Sequence, residues 1–396
     1  MSLLKTVQLQ VGYQGKPLIA NINLELLKGK VTCILGPNGS GKTTILRSIA
    51  NLLAPVSGSI FLNEQNLKQI PAAELARQMA VVLTERFPSD FMKVYDIVAT
   101  GRYPYTNLLG KLSAHDQQLI DQAFALVNAT HLKNNYFNEL SDGEKQKVML
   151  ALALAQDTQV IVLDEPTNFL DLKHRSELMA ILKRLSKERE ISILMSLHDV
   201  ELALKCCQNI LVTKDDQLLQ IDNDKELENG LIAELYRLQS ADYNQLLGGI
   251  EFLNHEQERV FVVAGGGSGT PVYRLLTKEQ IGFATGVIHQ NDLDYQVANT
   301  MQVQLIAETA FEPISNATLE LAKEQLQNYQ FVIDTGFPAG NINRSNLDLI
   351  LTAIQKGIKV ISLRDPREGA ELYGESQKIK YVVDYRELLS QIEILK

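Results

Sequence analysis

The segment that most constrains the fold is a glycine-rich stretch between an apolar run and an amphipathic one. Residues 36–43 read GPNGSGKT, and they directly follow the apolar run VTCIL at 31–35. From residue 42 to residue 53, apolar side chains recur with the period of about 3.6 residues that is typical of a helix. A strand, a turn of the form G-x-x-x-x-G-K-[ST] and a helix, in this order, form a phosphate-binding loop. The sequence therefore predicts an α/β fold with a nucleoside triphosphate site.

The chemistry of this loop follows from its residue types. Glycines let the backbone turn its N–H groups inward toward phosphate oxygens, and the helix directs the positive end of its dipole at the same point. Lys42 is predicted to reach the β and γ phosphates, and the Thr43 hydroxyl to ligate Mg²⁺. We therefore assign nucleotide contacts to nine consecutive residues: Gly36, Pro37, Asn38, Gly39, Ser40, Gly41, Lys42, Thr43 and Thr44.

A second apolar run ends in two carboxylates. The residues VIVL at 160–163 are followed directly by Asp164 and Glu165. At a strand end beside a phosphate loop, Asp164 is suited to hold Mg²⁺ through water, and Glu165 to act as general base on the attacking water. Without the phosphate loop, the same two letters would equally describe solvated acids at the end of a strand.

The segment LSDGE at 140–144 precedes an apolar helical stretch. Ser141 and Glu144 have the spacing of an S-x-x-E capping box, which stabilises the start of a helix. A helix start also offers N–H groups and a hydroxyl to an anion. From spacing alone, both interpretations stay open.

As an ordered set, these segments resemble the ATP-binding subunits of ABC transporters, over about residues 1–222. Tyr13 precedes the phosphate loop where that family has its adenine-stacking aromatic residue. Residues 168–171, NFLD, resemble the D-loop, and His198 resembles the switch histidine that contacts the γ-phosphate. The implied fold is a P-loop ATPase domain with a helical subdomain, and residues 71–155 are predicted to be mostly helical.

The resemblance also implies a mechanism, with ATP and Mg²⁺ as cofactors. In this family two copies face each other head to tail, and ATP lies between the phosphate loop of one copy and the Ser141 and Gly143 region of the other. Asp171 joins the implied nucleotide-binding set. The implied catalytic residues are Glu165, His198 and Lys42.

The chain departs from the family near the metal. After the strand-like residues 80–83, the family normally has a glutamine that senses Mg²⁺, and this chain has Glu85. A carboxylate can ligate Mg²⁺, but it adds a negative charge beside the triphosphate. The predicted metal-side residues are therefore Thr43, Glu85 and Asp164.

Residues 94–105, VYDIVATGRYPY, resemble the segment that follows the coupling loop in importers of iron–siderophore, haem and cobalamin type. The alternative interpretation is a helix end stopped by Gly101 and Pro104. The resemblance implies a homodimer beneath integral-membrane permease subunits, at the cytoplasmic face of the membrane. A substrate-binding protein is then an indirect partner, and a ferric chelate is the first expectation for the cargo, followed by cobalamin.

Composition bears on the competing functions. The chain has 396 residues and a formal net charge of −9, which disfavours attachment to nucleic acid by basic charge. No uninterrupted run of about 18 apolar residues occurs, and we expect neither a membrane span nor a signal peptide. The main alternative is a soluble ABC ATPase that acts on ribosomes or nucleic acid without a permease. A phosphate-loop kinase is a further alternative, but it leaves the segment 140–144 unexplained.

The remaining residues predict a separate Rossmann-like α/β domain at 256–396, joined through a linker with a helix at 223–255. Residues 260–270, VFVVAGGGSGT, read as a strand, a glycine-rich turn and the start of a helix, which suits a phosphate or a carboxylate. The spacing is not G-x-G-x-x-G, so a dinucleotide site and a turn of purely geometric purpose both stay open.

Two later loops of this domain, 285–294 and 334–343, also follow candidate strands. In an open parallel sheet such loops line the ligand crevice. Three side chains in the first of these loops are candidate metal ligands, and the alternative is that they are solvated loop residues: His289, Asp292 and Asp294. Regulatory ligand sensing, stabilisation of a dimer and an enzymatic role all remain possible functions for this domain.

Overall fold

The computed structural model describes residues 2–83, 91–107, 110–221 and 230–393, and residue 393 is described by its backbone alone. The chain divides into two compact units, Met1–Asn229 and Gly230–Lys396. Among the described helices, none combines the length and the apolar character that a membrane crossing requires.

The first unit contains eleven strands among its described residues. They are β1 (Ser2–Tyr13), β2 (Lys16–Ile22), β3 (Glu25–Leu27), β4 (Val31–Leu35), β5 (Ser57–Leu62), β6 (Gln65–Asn66), β7 (Met79–Val82), β8 (Val160–Leu163), β9 (Ser192–Leu197), β10 (Asn209–Lys214) and β11 (Gln217–Ile221). Its described helices are α1 (Lys42–Ile49), α2 (Ala72–Gln78), α3 (Val94–Ala99), α4 (Ala114–Leu126), α5 (Asp142–Ala155), α6 (Leu172–Arg189) and α7 (Val200–Cys206).

The centre of this unit is a parallel sheet in the order β10-β4-β9-β8-β7. Every residue of β4, β8 and β9 is buried, as expected for strands covered on both faces. The register pairs Leu35 with Leu197, and Leu163 with Met195. The carboxyl ends of these three strands therefore meet at one edge of the sheet, where the segments of the phosphate loop, the paired acids and His198 begin.

The end of the segment 94–105, which resembles the stretch after the coupling loop of chelate importers, is a 3₁₀ turn, Thr100–Tyr105, between α3 and α4. Arg102 is 3% exposed, and its Nε donates a hydrogen bond to Asp116 Oδ1 at 2.8 Å. Its guanidinium also donates to the carbonyl oxygen of Ala155 at 2.8 Å, at the end of α5. Arg102 thus ties the turn to two helices, so the segment has a structural role in this part of the unit.

The second unit contains eight strands among its described residues. They are β12 (Ala241–Asn244), β13 (Gly249–Phe252), β14 (Glu258–Val263), β15 (Gly282–His289), β16 (Gln304–Glu308), β17 (Phe331–Asp334), β18 (Lys359–Ser362) and β19 (Ile379–Tyr381). Its described helices are α8 (Leu231–Tyr236), α9 (Thr270–Lys278), α10 (Leu293–Thr300), α11 (Asn316–Gln325), α12 (Asn346–Lys356), α13 (Pro366–Tyr373) and α14 (Tyr385–Glu393).

Six of these strands form a parallel sheet in the order β16-β15-β14-β17-β18-β19, while β12 and β13 form a separate antiparallel hairpin. From β14 the chain adds β15 and β16 on one side of this strand. It then returns to the other side of β14 and adds β17, β18 and β19 there. In such sheets a ligand crevice forms at the point where the order reverses. The loops after β14 and β17 therefore lie at the crevice position of this unit.

Asp116 makes the stability of the first unit depend on acid pH. Hydrogen bonds from Ser113, together with the Arg102 guanidinium, lower the pKa of Asp116 to about 2 from its ordinary 3.8. Because folding lowers this pKa, the ionised Asp116 carboxylate contributes to the free energy of unfolding above about pH 4. This contribution is lost as the pH falls toward 2. It amounts to about 2 kcal/mol.

We expect Asp116→Asn to make the loss of stability between pH 5 and pH 2 shallower by that amount. The measurement is hydrogen exchange of α4 in the full chain at each pH. Asp121→Asn, an exposed acid on the same helix, is the matched control and should follow the wild type. Equal acid slopes for Asp116→Asn and the wild type would contradict the prediction.

Candidate functional site

The phosphate loop begins where β4 ends, and its last glycine is required by the backbone. Gly41 precedes α1 with φ +89°, a conformation that residues with a side chain rarely adopt. A Cβ at this position would lie 2.8 Å from Ile19 Cγ1. The loop can therefore keep its backbone close to β2 and start the helix at Lys42 only with glycine at position 41.

Lys42 is held inside the loop. It is 4% exposed, and its Nζ donates hydrogen bonds to the carbonyl oxygens of Gly36 at 2.8 Å and Pro37 at 2.9 Å. His198 Nδ1 lies 3.5 Å from the same nitrogen. Burial lowers the pKa of Lys42, although the negative charges of Glu165 and Asp164 oppose that shift. The loop thus presents a buried cation next to both predicted acids.

Asp164 is the junction between the loop and the strand ends. It is 3% exposed, and its Oδ1 accepts hydrogen bonds from Thr43 Oγ1 at 3.2 Å and from Ser196 Oγ at 2.7 Å. The Ser196 oxygen in turn accepts the backbone N–H of Glu165 at 2.8 Å. Sequence reasoning missed Ser196; its only signal was a hydroxyl near the end of a mostly apolar strand, two residues before His198.

Glu165 is brought together with two other predicted segments. Its carboxylate contacts His198 Nε2 and the side-chain amide of Asn168. Its backbone has φ +48°, a left-handed conformation that costs energy for any residue other than glycine. Such strain is concentrated at functional sites, where surrounding contacts hold the residue in place.

Three further predicted residues are Tyr13, Asp171 and Glu85. Tyr13 is half exposed, and its hydroxyl lies 3.3 Å from Thr44 Oγ1, at the edge of the phosphate loop. Asp171 caps α6 by accepting the N–H of His174 at 2.8 Å. Glu85 lies outside the described residues.

The Ser141 segment has partners of its own within the chain. Ser141 Oγ donates to Glu144 Oε2 at 2.7 Å, and Ser141 N donates to the same oxygen at 2.9 Å. These two bonds lower the pKa of Glu144, and the Glu144 N–H donates to Ser141 Oγ at 3.4 Å, which completes the capping box. None of the described hydrogen bonds joins this segment to the phosphate loop of the same chain.

The side chains suit a Mg²⁺ ion at one point. Thr43 and Asp164 offer a hydroxyl and a carboxylate oxygen that are already within hydrogen-bond distance of each other. Mg²⁺ binds through one or two such oxygens, with phosphates and waters completing its octahedron. The described residues contain no group of three or more His, Cys, Asp or Glu that could hold a metal without a substrate.

In the second unit, the glycine-rich loop is occupied by carboxylates of the same chain. The N–H groups of Gly269 and Thr270 donate to Asp294 at 2.9 and 2.7 Å, and the Gly266 N–H donates to Asp292 at 2.7 Å. Asp294 is fully buried, and burial raises its pKa. The amides that would bind a phosphate at the start of α9 are therefore already satisfied.

The three candidate metal ligands of this unit, His289, Asp292 and Asp294, form no metal-binding cluster among the described residues. His289 Nε2 lies 2.8 Å from the carbonyl oxygen of Glu312, whereas Asp292 and Asp294 bind backbone amides. Across the crevice position, Ser268 Oγ lies 2.6 Å from Thr335 Oγ1 and links the loops after β14 and β17. These contacts favour a structural role in which Asp292 and Asp294 fix the glycine-rich turn.

Comparison with known proteins gives two family matches. Residues 19–168 match the family described as ABC transporter, and residues 283–389 match the one described as MJ0874 family. An uncharacterised ABC transporter ATP-binding protein of Methanocaldococcus jannaschii is 40% identical over 287 residues, which is 72% of this chain and 99% of the relative.

Two further relatives carry more specific names. The petrobactin import ATP-binding protein FpuD of Bacillus anthracis is 35% identical over 237 residues, covering 60% of this chain and 87% of the relative. The iron(3+)-hydroxamate import ATP-binding protein FhuC of Bacillus subtilis is 33% identical over 221 residues, covering 56% and 82%.

Solved structures agree on the fold of about 60% of the chain. The cbiO1 protein of Clostridium perfringens, part of the ABC transporter complex cbiONQ, is 28% identical with a TM-score of 0.52, covering 59% of this chain and 93% of that one. A candidate metal-chelate type ABC transporter in an inward-facing conformation has a TM-score of 0.53 at 24% identity, covering 63% and 96%, and supports the fold alone.

Ser196 offers a first test of the site. Ser196→Ala removes two hydrogen bonds that fix Asp164 and Glu165, each worth about 1 kcal/mol. We therefore expect the kcat of ATP hydrolysis to fall about tenfold, with ATP affinity within about twofold of the wild type. Ser192→Ala is the matched control, because this serine lies on the same strand and its hydroxyl accepts the Gly29 N–H at 3.1 Å, away from Asp164 and Glu165. Equal kcat values for the two variants would contradict the role of Ser196.

Asp294 offers a second test. Asp294→Ala leaves the amides of Gly269 and Thr270 buried without an acceptor, at a cost of about 1–3 kcal/mol each. We expect faster hydrogen exchange at the start of α9 in the full chain, while the exposed Glu320→Ala variant behaves as the wild type. Protection of α9 by added inorganic phosphate or NADH in the wild type would show that Asp294 does not fill this position.

Proposed function

Because the chain belongs to the family of ABC transporter ATP-binding proteins, which hydrolyse ATP, we propose that it energises an importer of a ferric siderophore or a related iron or cobalamin chelate. Relatives named for petrobactin and iron(3+)-hydroxamate import support this cargo class. The names of these relatives do not favour the alternative of a soluble ATPase on ribosomes or nucleic acid.

The observation that carries the catalytic part is the convergence of five polar side chains at the carboxyl ends of β4, β8 and β9, those of Lys42, Thr43, Asp164, Glu165 and His198. In the proposed mechanism, Lys42 and the loop amides bind the phosphates of ATP, and Thr43 and Asp164 hold Mg²⁺, which would neutralise charge on the phosphates. Glu165 accepts a proton from the attacking water. Glu165 contacts His198, which supports a role for this histidine in fixing the carboxylate while it faces the γ-phosphate.

We further propose that two copies form the complete site. Ser141 is exposed at the start of α5, and its described hydrogen bonds leave the phosphate loop of its own chain uncontacted. Contact of Ser141 and Gly143 with the nucleotide of a second copy would explain why both are present. Tyr13, beside Thr44, is suited to stack on the adenine. Asp171 is suited to orient the D-loop-like segment 168–171 toward the second copy.

The proposed partners are integral-membrane permease subunits, with a substrate-binding protein acting indirectly. This arrangement would locate the chain at the cytoplasmic face of the membrane. The relatives are named as ATP-binding proteins of import systems, which supports the same division of labour here. We assign the ATPase role to residues 1–222.

For residues 256–396 we propose a Rossmann-like domain with a regulatory role, connected through residues 223–255. The support for the fold is the strand order with β14 and β17 at the centre of a parallel sheet. The Asp294 carboxylate already accepts the N–H groups of Gly269 and Thr270, which a dinucleotide phosphate would need. This argues against a dinucleotide as the regulatory ligand at that loop.

The test uses Glu165→Gln. Loss of the general base should lower kcat on the order of 100-fold or more and retain ATP affinity. With ATP and Mg²⁺ present, this variant should co-purify a polytopic membrane protein in stoichiometric amount from detergent-solubilised membranes. Glu188→Gln, an exposed acid on α6, is the control for kcat. Recovery of soluble chains or ribosomes alone would overturn the importer assignment.

A further inference from the structure

The first turn of α6 lies between three of the segments already described. Asp171 caps this helix, and its carboxylate accepts hydrogen bonds from both the backbone N–H of His174 and the His174 ring Nδ1, each at 2.8 Å. His174 therefore has a fixed ring orientation, set by the residue that ends the D-loop-like segment.

The other side of this ring packs against the Ser141 segment. A Cβ built on Gly143 would lie 2.7 Å from His174 Cγ and 2.8 Å from its Cδ2. Such distances are too short for real Cβ atoms, so the ring occupies the space that any side chain at position 143 would need. Glycine at this position is thus required by a contact within the chain, in addition to any contact with nucleotide.

The ring also acts on the charge at the start of α5. Hydrogen bonds from Ser141 lower the pKa of Glu144, and electrostatic interactions with His131 and His174 act in the same direction. Glu144 is the acceptor of the Ser141 hydroxyl. His174 therefore favours the ionised carboxylate that orients this hydroxyl.

The next residue extends the same connection to the switch histidine segment. Arg175 donates to Asp199 Oδ2 at 2.7 Å and to the carbonyl oxygen of Leu170 at 3.4 Å. Asp199 directly follows His198 and caps α7. One helical turn thus contacts the Ser141 segment, the D-loop-like segment and the segment after His198.

We propose that His174 is a positioning residue for ATP hydrolysis. Its imidazole holds the Ser141 and Gly143 segment against Asp171, so that both segments meet the second copy as one rigid surface. This inference rests on the proposed head-to-tail dimer. A displacement of about 1 Å at such a surface is enough to lower a catalytic rate substantially.

The test compares His174→Ala with His174→Gln in the full-length chain. We expect His174→Ala to lower kcat about tenfold or more, with the ATP dissociation constant of the single chain and the midpoint of thermal unfolding unchanged. The glutamine amide can still donate to Asp171, so His174→Gln should recover most of kcat. Ser176→Ala, on the same turn, is the matched control and should behave as the wild type.

Several outcomes would overturn the proposal. They are an unchanged kcat in His174→Ala, equal losses in the alanine and glutamine variants, and a parallel loss of ATP affinity or folding. A permease that still co-purifies with Glu165→Gln would leave the importer assignment intact in each of these cases, so the two failures can be told apart.

A second measurement tests the contact itself without relying on activity. Gly143→Ala should lower the unfolding midpoint in the wild-type background, because the new methyl group meets the His174 ring. In the His174→Ala background the same substitution should cost much less. Equal losses in the two backgrounds would show that the ring does not occupy the space over Gly143.

Discussion

The carboxylate of Asp164 is the point on which the nucleotide site depends. It lies at the end of a strand that is buried along its whole length, and a buried carboxylate without partners is strongly unfavourable. Thr43 and Ser196 supply the hydrogen bonds that make its burial possible, one from the loop after β4 and one from β9. The parallel register of β4, β9 and β8 is what brings these two hydroxyls to the same oxygen.

The two units contain the same local pattern with opposite electrostatic results. In each, a buried strand runs through a glycine-rich turn into a helix. In the first unit the turn encloses the ammonium group of Lys42, and in the second its amides bind the carboxylates of Asp292 and Asp294. A lysine ammonium group inside the turn attracts an anion, whereas a carboxylate of the chain occupies the backbone amides that an anion would need. The charge of the side chain held by the turn therefore decides whether the turn is an anion site or a structural turn.

This comparison also explains how far the sequence alone could reach. The phosphate loop and the acids at 164 and 165 were predictable, because their geometry is set within a few consecutive residues. Ser196 is 32 residues from Asp164, and Asp294 is 25 residues from Gly269. Partners so far apart are set by strand register and helix packing, which single-sequence patterns do not contain. The contact between His174 and Gly143 belongs to the same class.

Glu165 shows why such distant partners matter for chemistry. Its left-handed backbone is unfavourable by about 1–3 kcal/mol and persists only where other contacts determine it. Those contacts are present: Ser196 accepts its N–H, and His198 and Asn168 bind its carboxylate. Three side chains thus fix a residue whose own backbone preference is different. The direction in which this carboxylate points is consequently set by the assembled edge of the sheet. A general base needs such fixed surroundings if its position is to stay the same while nucleotide binds and is released.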